Sequence, residues 1–195
     1  VLGFAWTFIN PLLQLLVYTV VFSVIMRAGI EDYYLFLFVA LIPWMFFSDS
    51  LVSGSTCIMA QQEMVKKIYF PREVLPIALV TSRLVTMALS LLVVFAVLLV
   101  SGKGLNLLVM PYLIPVALVE YLLALGIAFI ASSVTVYFRD LGYILSIVSM
   151  AWQFLTPVMY SIDMVPEELR SIFMANPMTS VIIAYRDILY YKQAP

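Results

Sequence analysis

Polar residues are spaced too far apart in this chain for a water-soluble fold. Between them lie apolar runs of about 20 residues or more, the length of helix that crosses bilayer hydrocarbon. Of 195 residues, 65% are hydrophobic and 11% charged, and mean hydropathy is +1.10. A soluble domain runs nearer half apolar and a quarter charged. The runs are continuous rather than alternating, which argues against a transmembrane β-barrel. The expected fold class is therefore all-α, a polytopic membrane helix bundle forming a single transmembrane domain over 1–195.

Composition also removes whole classes of function. A net charge of -1 leaves no nucleic-acid footprint. With no histidine, neither a Ser-His-Asp triad nor a histidine metal site can be built. The lone Cys57 forms no intrachain disulfide. Gly102-Lys103-Gly104 reads as a turn and lacks the P-loop frame. The chain is thus expected not to be an enzyme and to hold no cofactor or metal. Any ATP and Mg would sit on a partner. Val1 is not an initiator methionine, so the chain reads as an internal piece of a longer protein. No basic n-region or small-residue cleavage site marks a signal peptide.

Five spans are expected, at about 2–26, 34–59, 74–100, 107–136 and 141–160. Asn10-Pro11 interrupts the first. Pro43 interrupts the second, which also holds Asp49 and the small, polar Ser53-Gly54-Ser55-Thr56. The most polar stretch, 61–73, is long enough for a short amphipathic helix ending near Pro71. Tyr137-Phe138-Arg139-Asp140 is a very tight connection. Beyond Tyr160 the pattern changes. Residues 161–176 are polar and acidic, and 177–191 are amphipathic and aromatic, too short and too charged to cross. A sixth span is expected beyond residue 195.

Lysine and arginine counts in short loops set orientation. Lys66, Lys67 and Arg72 mark the 61–73 loop, and Arg139 marks the 137–140 connection; both are expected in the cytoplasm. Arg27, Lys103 and Arg170 are diluted by acids, which places 161–195 outside. Tyr33, Tyr34, Tyr112, Tyr137 and Tyr160 suit interfacial belts.

Charges inside the spans are costly and therefore informative. By helical rise, Asp49 lies roughly 22 Å and Arg83 roughly 26 Å from the outer surface. The two either face each other across a polar vestibule, or Arg83 snorkels alone while Asp49 caps a helix break. Glu120 either lines a polar path or is a neutral acid bonded to a neighbouring helix. Trp44 and Trp152-Gln153 belong to aromatic clusters. Such rings stack on sugar C–H faces, or they are bulk for lipid and interface. Gln14 and Tyr18 on the first span complete the candidate translocation path. Ala124, Ala128 and Ser132 form a small-residue ridge, either ordinary helix packing or a dimer seam. The 61–73 loop could dock on a soluble partner or lie on lipid headgroups.

Several blocks, in order and over nearly the whole chain, resemble the membrane subunits of bacterial polysaccharide and polyol-phosphate ABC exporters. They are Leu2-Gly3-Phe4-Ala5-Trp6-Thr7-Phe8-Ile9-Asn10-Pro11, Pro43-Trp44-Met45-Phe46-Phe47-Ser48, Phe70-Pro71-Arg72-Glu73-Val74-Leu75-Pro76, Tyr137-Phe138-Arg139-Asp140-Leu141, Thr156-Pro157-Val158-Met159-Tyr160 and Asn176-Pro177-Met178. The resemblance implies six spans per subunit, a homodimer, and two separate ATP-binding-cassette ATPase subunits. It implies a coupling helix in 61–73 and a second cytoplasmic contact at 137–140. Glu63, Lys66, Lys67, Arg72, Arg139 and Asp140 are the coupling residues it points to. It further implies external re-entrant helices over 161–191. The family's N-terminal interfacial helix and sixth span have no counterpart here. Cargo would be a lipid-linked glycan such as O-antigen, capsule or teichoic acid, moved across the bacterial cytoplasmic (inner) membrane. The related drug and small-lipid exporters are the alternative reading, and an ion-coupled flippase a further one.

Overall fold

The computed structural model describes residue 9 and residues 12–18, 20–21, 30, 32–67, 69–102 and 104–195. Residues 12–18 are helical and belong to the first expected span. The 2–8 block, Asn10-Pro11 and Arg27 lie outside the described residues. The described elements are α-helical, with short 3-10 and π turns and no strand.

Helix α1, Tyr33–Ala60, is the axis of the bundle. It packs against α3 (Val74–Val100), α4 (Leu113–Tyr137), α5 (Leu141–Leu155) and α7 (Pro177–Arg186). Apolar residues cover its whole circumference over 35–47, and such a helix belongs inside a bundle. Those positions are indeed almost all buried. Pro43, expected to interrupt the span, instead sits within continuous helix and is buried. Helices α3 and α4 flank it and turn Leu92, Leu99, Ile114, Leu118, Leu122 and Ile130 outward, as lipid-facing helices do.

Close approach of α4 and α5 to α1 depends on glycine. A Cβ at Gly54 would meet the Ala128 Cβ at 2.9 Å, and one at Gly142 would meet Thr56 Cγ2 at 2.7 Å. Ala124, Ala128 and Ser132 are buried in this contact. The small-residue ridge is therefore packing within the chain, not a seam offered to a second copy.

Three boundaries differ from the sequence expectation. Among the described residues of the 61–73 loop, helix is confined to α2, Gln62–Lys67, and residues 69–71 are not helical; the residue before a proline avoids helical backbone. The fourth span begins later than 107. Residues 107–109 form a turn, Met110–Tyr112 a 3-10 turn, and α4 starts at Leu113. The fifth span ends early, because α5 stops at Leu155 and 156–160 is an irregular turn. Beyond it come a 3-10 turn at Ile162–Met164, α6 at Glu167–Ala175, α7, and a π turn at Asp187–Tyr191.

Topology separates two ends. The 61–73 and 138–140 connections lie at one. The other holds the 101–112 connection and residues 156–193. There Tyr34 Oη pairs with Ser101 Oγ at 3.2 Å, the Tyr33 hydroxyl donates to Met159 O at 2.7 Å, and Asn106 Nδ2 donates to Lys192 O at 3.2 Å.

Candidate functional site

At the first end, α2 buries no residue. Its Lys67 Nζ lies 3.4 Å from Glu63 one turn earlier, both side chains largely exposed, so the pair adds little to stability. Tyr69 is fully exposed and Tyr137 is 91% exposed. Arg72 lines two hollows. One, of about 320 Å³, lies along Lys66, Lys67, Tyr69 and Phe70. The other, of about 240 Å³, reaches across Glu73, Phe129 and Ser133 to Tyr137. The structure thus brings Arg72 of the longer loop and Tyr137 of the shorter one to a common hollow. Arg139 and Asp140 follow on the exposed turn. Exposed aromatics and an arginine beside a concavity are features enriched at protein interfaces, and the lysines add positive charge around them.

Among the described residues, two of the polar links between the helices involve an acid. Arg83 Nη1 on α3 lies 3.7 Å from Asp49 Oδ2 on α1, with side chains 40% and 55% exposed. The two residues do face each other, as an ion pair on a half-open surface. Counted from the nearer helix ends, Asp49 sits about 16 Å and Arg83 about 14 Å in. Glu120, by contrast, is fully buried on α4. Its Oε2 accepts the Tyr185 hydroxyl of α7 at 2.9 Å, while Oε1 is buried with no partner. Such an orphan acceptor costs about 1–3 kcal/mol. Glu120 is therefore bonded to a neighbouring helix and faces no open path here.

The break after α5 carries the densest polar network. Fifteen residues make about 22 Å of helix, against about 30 Å of hydrocarbon. The 156–160 turn therefore lies at membrane depth, where irregular backbone survives only if protein satisfies it. Each of its carbonyls is answered. Arg186 Nη1 donates to Pro157 O at 2.6 Å and Tyr160 O at 3.1 Å, and Nη2 donates to Val158 O at 2.6 Å. Tyr33 takes Met159 O, and Val158 N closes on Thr156 O at 2.7 Å. The guanidinium also stacks on the Phe36 ring, 3.6 Å from its centroid. Asn176 holds the same break from the side. Its Oδ1 accepts Trp152 Nε1 and caps α7 through Met178 N, both at 3.1 Å, and its Nδ2 donates to Thr156 Oγ1 at 2.9 Å.

The remaining path candidates fall into different surroundings. Trp44 is buried and tilts against Phe47 at 5.8 Å, so it is core rather than path lining in this conformation. Trp152 is half-buried, edge-on to Phe47 at 5.2 Å and committed to Asn176; its ring is a brace between elements. Gln153, Gln14 and Tyr18 are half-buried, Tyr18 against the core. Sequence reasoning missed Tyr185 and Arg186. The available signal was a basic residue set among apolar and aromatic ones in 178–191.

The whole arrangement is a membrane bundle with a broken helix at one end and a bare, basic loop at the other. Residues 1–190 match the family model for the ABC-2 type transporter. The chain belongs to that family. Among relatives of this ABC-2 chain, the O-antigen export system permease protein RfbA of Myxococcus xanthus is 36% identical over 196 residues, covering 100% of the chain and 75% of the relative. Two O-antigen export system permease proteins RfbA of Klebsiella pneumoniae are 32% and 31% identical, each covering 96% of the chain, and 73% and 72% of their own lengths.

Proposed function

We propose that this ABC-2 transporter chain is the permease subunit of an exporter that carries a lipid-linked polysaccharide, of the O-antigen kind, across the bacterial cytoplasmic membrane. The observation that carries this reading is the similarity to O-antigen export permeases along essentially the whole chain. It is supported by a bundle with three helices long and apolar enough to cross a membrane, Tyr33–Ala60, Val74–Val100 and Met110–Tyr137. In this reading the chain transports and does not catalyse. ATP and Mg belong to a separate ATP-binding-cassette subunit, which docks on α2, Tyr69–Glu73 and the 137–140 turn. Lys66, Lys67 and Arg72 supply the charge for that contact, with Glu63, Arg139 and Asp140 around them. Closure of the ATPase pair pushes on this end and parts two permease copies to admit the glycan. The lipid-facing side of α5, with Tyr143, Ile147, Met150 and Phe154 exposed, suits such a helix-lined boundary.

Co-purification tests the reading. The full-length permease is purified with the P-loop ATPase of the same cell and challenged with that cell's own undecaprenyl-linked polysaccharide and with amphipathic drugs. The reading expects a stable complex whose ATP hydrolysis rises severalfold with the glycan alone. Stimulation by the drugs and not the glycan would move the chain to the drug-exporter branch. Absence of any complex would remove the ABC-exporter reading.

A further inference from the structure

Tyr185 and Arg186 are neighbours in sequence but tie α7 to different elements. Arg186 binds three carbonyls of the turn that ends α5 and stacks on Phe36 of α1. These are charge-assisted bonds, the strong class, and releasing them would strand several backbone acceptors at membrane depth. Tyr185 makes a single bond, to Glu120 of α4. The other oxygen of that carboxyl has no partner, so the tie is only half satisfied. Beside it lies an apolar hollow of about 330 Å³, lined by Val116 and Val119 of α4, Val181 and Ala184 of α7, and Pro195. The α5 side of α7 is thus fastened by three hydrogen bonds and a ring stack, with only Arg186 Nε left unpartnered, while the α4 side carries one side-chain hydrogen bond beside an apolar hollow.

We infer that the Glu120–Tyr185 hydrogen bond is the releasable tie of a two-sided strap, and that during transport α7 parts from α4 while Arg186 keeps it fixed to the end of α5. Glu120 and Tyr185 are then positioning residues: they set when the outer end opens, without touching cargo. The inference rests on the export reading above. Only an opening that serves passage of cargo would make this tie matter to transport.

The test uses the full-length permease with its ATPase in proteoliposomes, loaded with the cell's own lipid-linked polysaccharide. Tyr185→Phe and Glu120→Leu remove the bond, and Glu120→Gln keeps an acceptor for the tyrosine. Polysaccharide moved per ATP hydrolysed is expected to fall at least threefold in Tyr185→Phe and in Glu120→Leu, no further in the double variant, and to stay within twofold of the parent in Glu120→Gln. A merely structural role would lower the amount of complex but leave that ratio unchanged. Should the buried substitutions prevent assembly, the pair Val119→Cys and Ala184→Cys tests the same motion from the cleft walls. Oxidation to the disulfide is expected to stop export, and reduction to restore it. Export at the parent's rate with the disulfide closed would overturn the inference. Parent protein that moves no polysaccharide at all would instead overturn the export reading.

Discussion

At the scale of single residues, Arg186 sits where a lysine would not serve. Its planar fork reaches carbonyls of Pro157, Val158 and Tyr160 at once, whereas an ammonium is a point charge with strong hydration. Arg186→Lys is expected to leave at least one of those acceptors unmet and to cost about 2–3 kcal/mol. Thermal unfolding in detergent would read this as a clear downward shift. Asn176→Ala removes a helix cap and the partner of the Trp152 N–H. Its expected cost is smaller, about 1–2 kcal/mol, and an unchanged melting temperature would contradict the network. Residue roles were unevenly legible in the sequence. The Asp49–Arg83 pairing was one of two open readings, because helical rise puts the residues at similar depth without fixing which way they face. Tyr185 and Arg186 were not legible, because their partners lie 65 and 26–29 positions away and no local pattern encodes that pairing.

At the scale of elements, helices α1 and α3 were readable from hydropathy, since their apolar runs coincide with unbroken helix. The fifth span was not. Its apolar run continues to Met159, but the helix stops at Leu155. Thr156-Pro157 and the arginine from α7 offer the backbone another way to satisfy its carbonyls. Hydropathy counts apolar residues and is blind to such a substitute. The α1–α3 contact carries a prediction of its own. If the Asp49–Arg83 ion pair fixes the two helices, Asp49→Arg and Arg83→Asp should each reduce export, and the double swap should recover most of it. A double variant as poor as the singles would show that the pair is incidental. On stability alone the effect should be small, about 0–1 kcal/mol, because both side chains are half-exposed.

At the scale of the whole molecule, the two ends differ in chemistry. One carries Lys66 and Lys67 on α2 and Arg72 on the exposed turn after it, and the other carries Asp163, Glu167 and Glu168 at and before α6. The asymmetry predicts that Tyr69→Cys is labelled by an impermeant thiol reagent only in inverted vesicles, and Glu168→Cys only in intact spheroplasts. Cys57 is buried and should contribute no background. The opposite labelling would invert the protein and remove the docking role of α2. The central claim is that this end receives the ATPase and converts its closure into export. It is tested most directly by ATP-driven polysaccharide translocation in proteoliposomes carrying the ATPase and the Lys66→Ala, Lys67→Ala, Arg72→Ala permease. The predicted result is export reduced at least tenfold while ATP hydrolysis continues. Export equal to that of the parent would contradict it.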